Sequence, residues 1–362
     1  MQIDFHHGTI YVLARIAGFG KDDSERLSYA SQYVDDAVHG GLIHFENGAL
    51  FKRTITAHKT LDMKNLDLSD NLDIWLPFHF LPGNDVERAT QGKNFIHRLV
   101  AKPDSQVAQS MIDEAIRQAD KPYGLHRFGI ALHVYADTWA HQGFAGIIHK
   151  INEVEDPKEL KSKKKVSWRK KIWDRLKIGV NDIVDDVAPP IGHGRACILP
   201  DLPYISWSYT DGKGEKHHRD NGKCFREAAE HIMEAMRKYL EVASLQHASN
   251  ALDTDNLDQI EHCFTSFKDE QGEDRHNAWL KAISNGTFKV DGSPLQDKIT
   301  YDDQGKDSWK YKALGRLNYN NSCYRYRDDF LTSDWKCFHD AAMAHRFYVL
   351  HELLPGCGIC AG

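Results

Sequence analysis

His133, Asp137 and His141 stand at i, i+4 and i+8 within GIALHVYADTWAHQGF, residues 129–144. On an α-helix each step of four residues advances about 40°, so all three fall in a narrow sector of one face. A carboxylate flanked by two imidazoles is a donor set used by zinc, manganese and iron. Gly129, Ala131, Ala136, Ala140 and Gly143 keep the surroundings small, so other helices can approach closely. Leu132, Tyr135 and Ala131 supply a packing side. His126 falls on the ligand face two turns upstream of His133, a candidate for supporting the ligands. The competing reading is a hydrogen-bonded His-Asp-His ladder in a helical core, with no metal. A chain with 21 histidines favours metal chemistry.

One helix cannot close a site, and four other places offer ligands. Asp4 and His6 open the N-terminal helix. Asp35 and Asp36 form a pair inside a helix, where aspartates are poor helix formers; periodicity does not choose between them. His79 lies in Trp75–Gly83, WLPFHFLPG, held between two phenylalanines and bracketed by prolines. His193 and Asp201 lie in PPIGHGRACILPDLP, a run of turn-forming residues.

The elements that must position these residues read as helices. Residues 24–39 carry an apolar stripe of Leu27, Ala30, Tyr33, Val34, Ala37 and Val38 at helical spacing. Ser24 is the expected cap and Gly40-Gly41 the stop. Residues 105–119, 125–150, 222–248 and 333–354 give four more helices. Strand signals are few: a short hairpin at 41–51 and a fragment at 286–290. The expected fold class is therefore all-α, a multi-helix bundle with long loops. We expect a helical metal-binding domain over 1–264, an irregular excursion over 265–332, and a C-terminal helical segment, 333–362, packing back on the domain.

Composition narrows the class further. The chain has 362 residues, 41% hydrophobic and 27% charged, an ordinary soluble balance. No apolar run reaches membrane-spanning length, and the opening residues lack the basic and apolar regions of a signal peptide. Seven cysteines, an odd number in a large chain, point to a reducing compartment. The expected location is the cytoplasm, or delivery by a leaderless secretion route. Net charge is -6, which excludes a nucleic-acid-coating protein. The segment 157–177 is the exception: ten Lys and Arg against Glu159 and Asp174 give it +8 and leave -14 for the rest. It reads as a mobile, solvated loop, with contact to an anionic surface as the functional alternative.

Six blocks carry a resemblance: IDFH at 3–6, SQYVDD at 31–36, PFHFLPG at 77–83, GIALHVYADTWAHQGFAG at 129–146, IGH at 191–193 and PDLP at 200–203. Together they resemble an uncharacterised bacterial family that shares these blocks in this order. More distantly the pattern is similar to the zinc-dependent phospholipase C and single-strand nuclease superfamily. That resemblance implies an all-α enzyme that hydrolyses phosphate esters with clustered zinc ions. The superfamily's ligands follow a chain order: the N-terminal residue, a histidine, an aspartate, a histidine, a His-x3-Asp pair, a histidine and a His-x3-Glu pair. The resemblance assigns His6, Asp35 in preference to Asp36, His79, His133 and a bridging Asp137. His141 follows Asp137 after three residues instead of five, and His193 with Asp201 stands in loosely for the last pair. The implied cofactor is two or three Zn2+, or another divalent transition metal. The implied partner is a phosphate-ester substrate, lipid headgroup or nucleotide, with Asp137 and Asp35 as the catalytic carboxylates.

Two other readings compete. A metal-stabilised interaction or effector protein would use the same ligands in a closed, structural site. An HD-type phosphohydrolase is suggested by His339-Asp340, but His339, His345 and His351 are six apart, so they point in three directions around a helix. Cys357 and Cys360 form one pair without the second needed for a four-cysteine site.

Overall fold

The computed structural model describes residues 1–58, 68–91, 95–160, 191–243 and 254–360. A π-helical turn, Asp4–Thr9, runs straight into α1 (Ile10–Ala17). Helix α2 (Lys21–Asp36) follows; it ends where Ala37 leaves helical geometry, three residues before the expected stop. Strands β1 (Gly41–His44) and β2 (Leu50–Arg53) make an antiparallel hairpin. Next come α3 (Leu68–Phe78), α4 (Val86–Gln91), α5 (Gln106–Arg117) and α6 (Gly124–Ala140). Ser105 caps α5 by accepting from the Ala108 N–H.

Helix α6 is the axis of the molecule. Every residue in it except Leu125 is buried, the signature of a helix surrounded by others. It packs against α2 and α5 and, further along the chain, against α7 (Asn221–Val242) and the last long helix. The crossing with α2 is closest at Gly129: a Cβ there would lie 2.7 Å from the Ala30 Cβ and 2.9 Å from the Leu27 carbonyl oxygen. Glycine at this position therefore brings the end of α2, with Asp35, against the middle of α6.

Among the described residues the fold is 54% helix and 13% strand in three small sheets. The all-α expectation is corrected to a mixed α and β fold. The missed sheet is β3 (Val154–Glu159), β4 (Ser206–Asp211) and β5 (Lys216–Asp220), antiparallel in the order β3-β4-β5. Its outer strands, VEDPKE and KHHRD, lack the apolar alternation that marks a half-buried strand. Only β4 alternates, with Trp207 and Tyr209 packing against Phe144 and Leu199 in a small core of their own.

The stretch 265–332 is also more ordered than expected. After α8 (Thr254–Ser266) it holds α9 (Gly272–Ser284), the hairpin β6 (Lys289–Val290) with β7 (Ser293–Pro294), and α10 (Trp309–Leu314). Trp279, Ile283, Phe288 and Leu295 belong to the same core as Phe5, Leu132 and Phe225. Finally α11 (Asp334–Tyr348) packs on α6 and runs into a second π-helical turn, Val349–Leu353. No helix among the described residues is long and apolar enough to cross a membrane. Residues 161–177 of the basic segment lie outside the described residues; its first part, through Glu159, belongs to β3.

Candidate metal centre

Five histidines and three aspartates converge on the C-terminal half of α6. His6, His133 and Asp137 form one group whose donor atoms lie within 4.8 Å of one another; Asp35, His79 and His133 form a second; His141, His193 and Asp201 form a third. Asp137 sits where they meet. Its Oδ1 is 3.2 Å from His6 Nε2, and its Oδ2 is 3.4 Å from His79 Nδ1, 3.3 Å from His133 Nε2 and 3.6 Å from His141 Nδ1. Asp35 Oδ1 lies 3.8 Å from both His79 Nδ1 and His133 Nε2. Asp201 lies 3.8 Å from His141 Nε2 and 3.7 Å from His193 Nε2.

Each element has a local reason to aim its ligand inward. The π-helical turn widens the first helix where His6 enters, a device common at functional sites. His6 then stacks on His133 with ring centroids 3.8 Å apart. His79 follows the end of α3, whose internal Pro77 precedes the turn. His141 is the residue that closes α6, its N–H still bonded to the Asp137 carbonyl. His193 rides a loop made possible by Gly192, which has φ +50 and packs so tightly on Phe80 that any Cβ would collide with its ring. Phe80 in turn stacks on His141 at 4.5 Å. Asp201 ends a short turn tied down by the buried Asn221, whose Nδ2 donates to the Leu199 and Leu202 carbonyls at 2.7 and 2.9 Å. Trp207 of β4 donates to Asn221 Oδ1 at 3.1 Å, so the small sheet braces this loop.

The hydrogen bonds fix which ring nitrogens are bare. His133 Nδ1 faces the Ser31 carbonyl at 2.8 Å, His141 Nδ1 the His79 carbonyl at 2.7 Å, His79 Nε2 the Thr56 carbonyl at 3.0 Å and His193 Nδ1 the Cys197 carbonyl at 2.8 Å. A carbonyl can only accept, so each of these nitrogens carries the proton. In the neutral ring the other nitrogen then presents a lone pair to the cluster. Backbone carbonyls orient metal-ligating histidines in this way. His133 Nε2 and His79 Nδ1, 3.3 Å apart, are two such lone pairs facing each other. Beyond its 3.2 Å approach to Asp137, the buried His6 has no hydrogen-bond partner among the described residues, and the buried Asp201 Oδ1 has only the ion-pair contacts to the Met1 amine and His141. Acceptors crowded together with too few donors are costly to bury unless a cation joins them.

The electrostatics agree. Burial pulls His133 and His141 down from 6.5 to about 4 each. Burial and the neighbouring His133 take His6 to about 3, so all three rings are neutral near pH 7. Burial alone would lift the Asp137 carboxyl, but His141, the Met1 amine, His133 and His6 hold it well below the usual carboxylate range. Asp201 is also held down against its burial, by the Met1 amine and His193. Asp35 moves the other way, raised by desolvation and by Asp137 and Asp36. Its side chain is 34% exposed and that of His193 20%, whereas Asp137 and His133 are sealed. The cluster therefore meets solvent along its Asp35 and His193 edge.

One donor was not among the residues expected from spacing. The Met1 amine is fully buried, 2.5 Å from Asp137 Oδ1 and 3.3 Å from Asp201 Oδ1. Burial would depress it, but Asp137 and Asp201 outweigh that and raise it to about 10. No side-chain periodicity reports a backbone amine. The signal that could have found it is the N-terminal residue that heads the ligand order of the superfamily the sequence resembles.

Three expected residues stay outside the cluster. Asp4 is gripped by Arg275, with Nε donating to Oδ2 at 2.6 Å and Nη2 to Oδ1 at 3.2 Å. Asp36 Oδ2 accepts from the Tyr301 hydroxyl at 2.5 Å and from Gln32 at 3.0 Å. This separates Asp36 from Asp35, since consecutive helical residues diverge by about 100°. His126 is paired with Asp334 at 2.9 Å, above the cluster on α6. The HD-type reading is not supported either. His339 Nδ1 meets Thr54, Asp340 pairs with Lys336, and His345 Nε2 faces the Pro77 carbonyl at 2.9 Å. Cys357 and Cys360 are free thiols and join none of the ligand groups found among the described residues. A wide groove of about 730 Å³, lined by Arg117, Lys238, Tyr348 and Cys357, contains none of the cluster residues.

Residues 1–353 match a family described as "Family of unknown function (DUF6765)". The chain belongs to that family. No curated protein and no solved structure matches it. For this member of DUF6765, several His and Asp groups are positioned to hold metal ions.

Proposed function

We propose that this chain is a zinc-dependent hydrolase of phosphate esters. The observation that carries the reading is the convergence of bare imidazole nitrogens and carboxylate oxygens from six separate chain segments onto one edge open to solvent. The first two groups share His133, whose Nδ1 is already committed to Ser31, so its single lone pair serves one ion. The third group shares nothing with either. At least two ions are therefore accommodated. Nitrogen-rich sites with carboxylates suit zinc.

The order of these residues along the chain also resembles the phospholipase C and nuclease superfamily, now including the Met1 amine. As an ammonium that amine is a charge partner for Asp137 and Asp201; deprotonated, it is a further nitrogen donor. Asp137 and His133 would hold ions at the buried floor. Asp35 and His79 would hold one toward the rim, and His141, His193 and Asp201 another. Bound there, clustered divalent ions supply an activated water and neutralise charge on the phosphoryl oxygens. The protein's own part is to fix the donors through backbone carbonyls, keep water from the His6 and His133 side, and leave the Asp35 edge for substrate.

The test is hydrolysis of bis(4-nitrophenyl) phosphate by the full chain, before and after chelation and with zinc restored. Activity that vanishes on chelation, returns with zinc and is absent in Asp137→Asn supports the reading. A metal-loaded chain inert toward this diester, phospholipid vesicles and single-stranded DNA would contradict it and leave a structural metal site.

A further inference from the structure

The hairpin of β1 and β2 has two unlike faces. Ile43, Phe45 and Phe51 pack into the core that holds Phe330 and Trp335, where the Phe45 and Phe330 ring centroids are 4.8 Å apart. The register pairs Leu42 with Lys52 and His44 with Leu50, so these four side chains share the outer face. An antiparallel hairpin packed on one side ordinarily shows polar residues on the other. Here Leu42 is 51% exposed and Leu50 60%, and the register makes them diagonal neighbours.

The segment beside the hairpin is basic and aromatic. Residues 308–327 hold five Lys and Arg and no Asp or Glu, in a chain of net charge -6. Backbone hydrogen bonds join it to the hairpin. The Tyr324 N–H donates to the His44 carbonyl at 2.8 Å, and the Glu46 N–H to the Tyr324 carbonyl at 2.9 Å. The Asn318 amide donates to Glu46 Oε1 at 3.0 Å, so the one acid at the hairpin tip is occupied. Lys312, Arg316 and Arg325 are exposed and have no ion-pair partner among the described residues. Tyr319, in the turn closed by the Asn318–Cys323 bridge, is 87% exposed, the most of any large hydrophobic side chain among the described residues.

The same hairpin is rooted at the metal centre. Its ends meet where the Thr56 N–H donates to the Ala37 carbonyl at 3.1 Å and the Thr56 hydroxyl to the Val34 carbonyl at 2.6 Å. The Thr56 carbonyl accepts from His79, and Asp35 lies on the turn of α2 that Thr56 grips. Leu42 is seven residues from Asp35, at most about 25 Å of chain. Exposed leucines, unpaired cations and an exposed tyrosine match the layers of an anionic bilayer. Leucine suits the acyl chains, Lys and Arg the headgroup phosphates, and tyrosine the boundary between them. A single-stranded nucleic acid would use the tyrosine and the cations but gain little from Leu42 and Leu50. We infer that this face docks the chain on an anionic lipid bilayer, near the open Asp35 edge. As a means of presenting phospholipid substrate it rests on the hydrolase reading above; the docking itself does not.

Co-sedimentation of the full chain with phosphatidylcholine vesicles, with and without phosphatidylserine, tests this. Two double variants are compared with wild type: Leu42→Ser with Leu50→Ser, and Arg316→Gln with Arg325→Gln. All four positions are exposed, and circular dichroism checks that both variants fold. Wild type should bind the phosphatidylserine vesicles, and less so at high salt. Removing the two charges should weaken binding about 30-fold, and removing the two leucines about tenfold or more. No binding by wild type, or binding unchanged in either folded variant, overturns the inference. So does binding of a single-stranded oligonucleotide without binding of vesicles, or a wild-type dimer that the leucine variant separates while vesicles stay unbound. A second arm compares hydrolysis of phospholipid in the same vesicles with that of bis(4-nitrophenyl) phosphate. Both variants should lose about tenfold or more on vesicles and keep the soluble diester rate. An equal loss on both substrates overturns the presenting role. If neither substrate is hydrolysed, sedimentation still decides the docking face, so the two readings fail separately.

Discussion

Asp4 and Asp137 are both 1% exposed and both lie against the N-terminal turn, yet they are neutralised in opposite ways. Asp4 receives a guanidinium fork from Arg275, whose remaining donors reach the Gln2 side chain at 2.8 Å and the Asp269 carbonyl at 2.7 Å. That ion pair is complete within the chain. Asp137 shares one amine with Asp201 and is otherwise surrounded by imidazoles, with Asp35 close by. Two carboxylates held ionised against one ammonium, with the Asp35 carboxyl pushed up beside them, leave the cluster short of positive charge. Burial alone therefore does not mark a functional acid; what distinguishes Asp137 is that its surroundings offer more lone pairs than protons.

Breaking the first site should show the largest effect. Arg275→Ala leaves Asp4 buried and unpaired and should destabilise the chain by about 3–5 kcal/mol. Metal content per folded molecule should hold, as read by urea melts with elemental analysis. If metal is lost in proportion, the two aspartates are not independent. Asp137→Asn keeps the shape and removes the charge. It should weaken metal binding on the order of 100-fold and bring the melting temperature down to that of chelator-treated wild type, since ions that bind only the folded chain stabilise it by mass action. A structural His-Asp-His ladder would instead show no change in metal content.

The neighbouring pair sharpens the contrast at smaller scale. Asp35→Asn should cost about tenfold in metal affinity, while Asp36→Asn should leave it unchanged. Equal losses would mean the end of α2 matters only as a helix. Acid offers a further test on the chelated chain. His6, His133 and His141 are held neutral down to about 3 to 4, against 6.5 in the open chain. Between those values the unfolded chain binds more protons than the folded one, so their contribution to stability is intact above 6.5 and is lost as pH falls through the window. The urea midpoint should drop between pH 6.5 and 4, and a flat profile would contradict buried neutral rings. The smallest effect is expected at the tail: Cys357→Ser with Cys360→Ser should shift stability by less than about 0.5 kcal/mol and leave metal content unchanged.

The parts of this account that sequence made legible share a physical trait: they are local and periodic. The His133, Asp137 and His141 spacing needed only a helix, and the amphipathic stripe over 24–39 located α2 within a few residues. What escaped depends on non-local partners. Nothing near Asp4 in sequence announces Arg275, 271 residues away. The choice between Asp35 and Asp36 rests on how α2 crosses α6 at Gly129, which periodicity does not contain. β5, KHHRD, is a strand because β4 pairs with it, not because its side chains alternate. The irregular look of 265–332 arose because α9 buries Trp279 and Ile283 among charged neighbours, giving a weak stripe to a helix that is nonetheless part of the main core.

The most direct measurement is metal stoichiometry, by elemental mass spectrometry on the purified full chain beside its Asp137→Asn variant. The account predicts at least two divalent ions per wild-type chain, zinc foremost, and a large loss in the variant. One ion or fewer in wild type, or unchanged occupancy in Asp137→Asn, would contradict it.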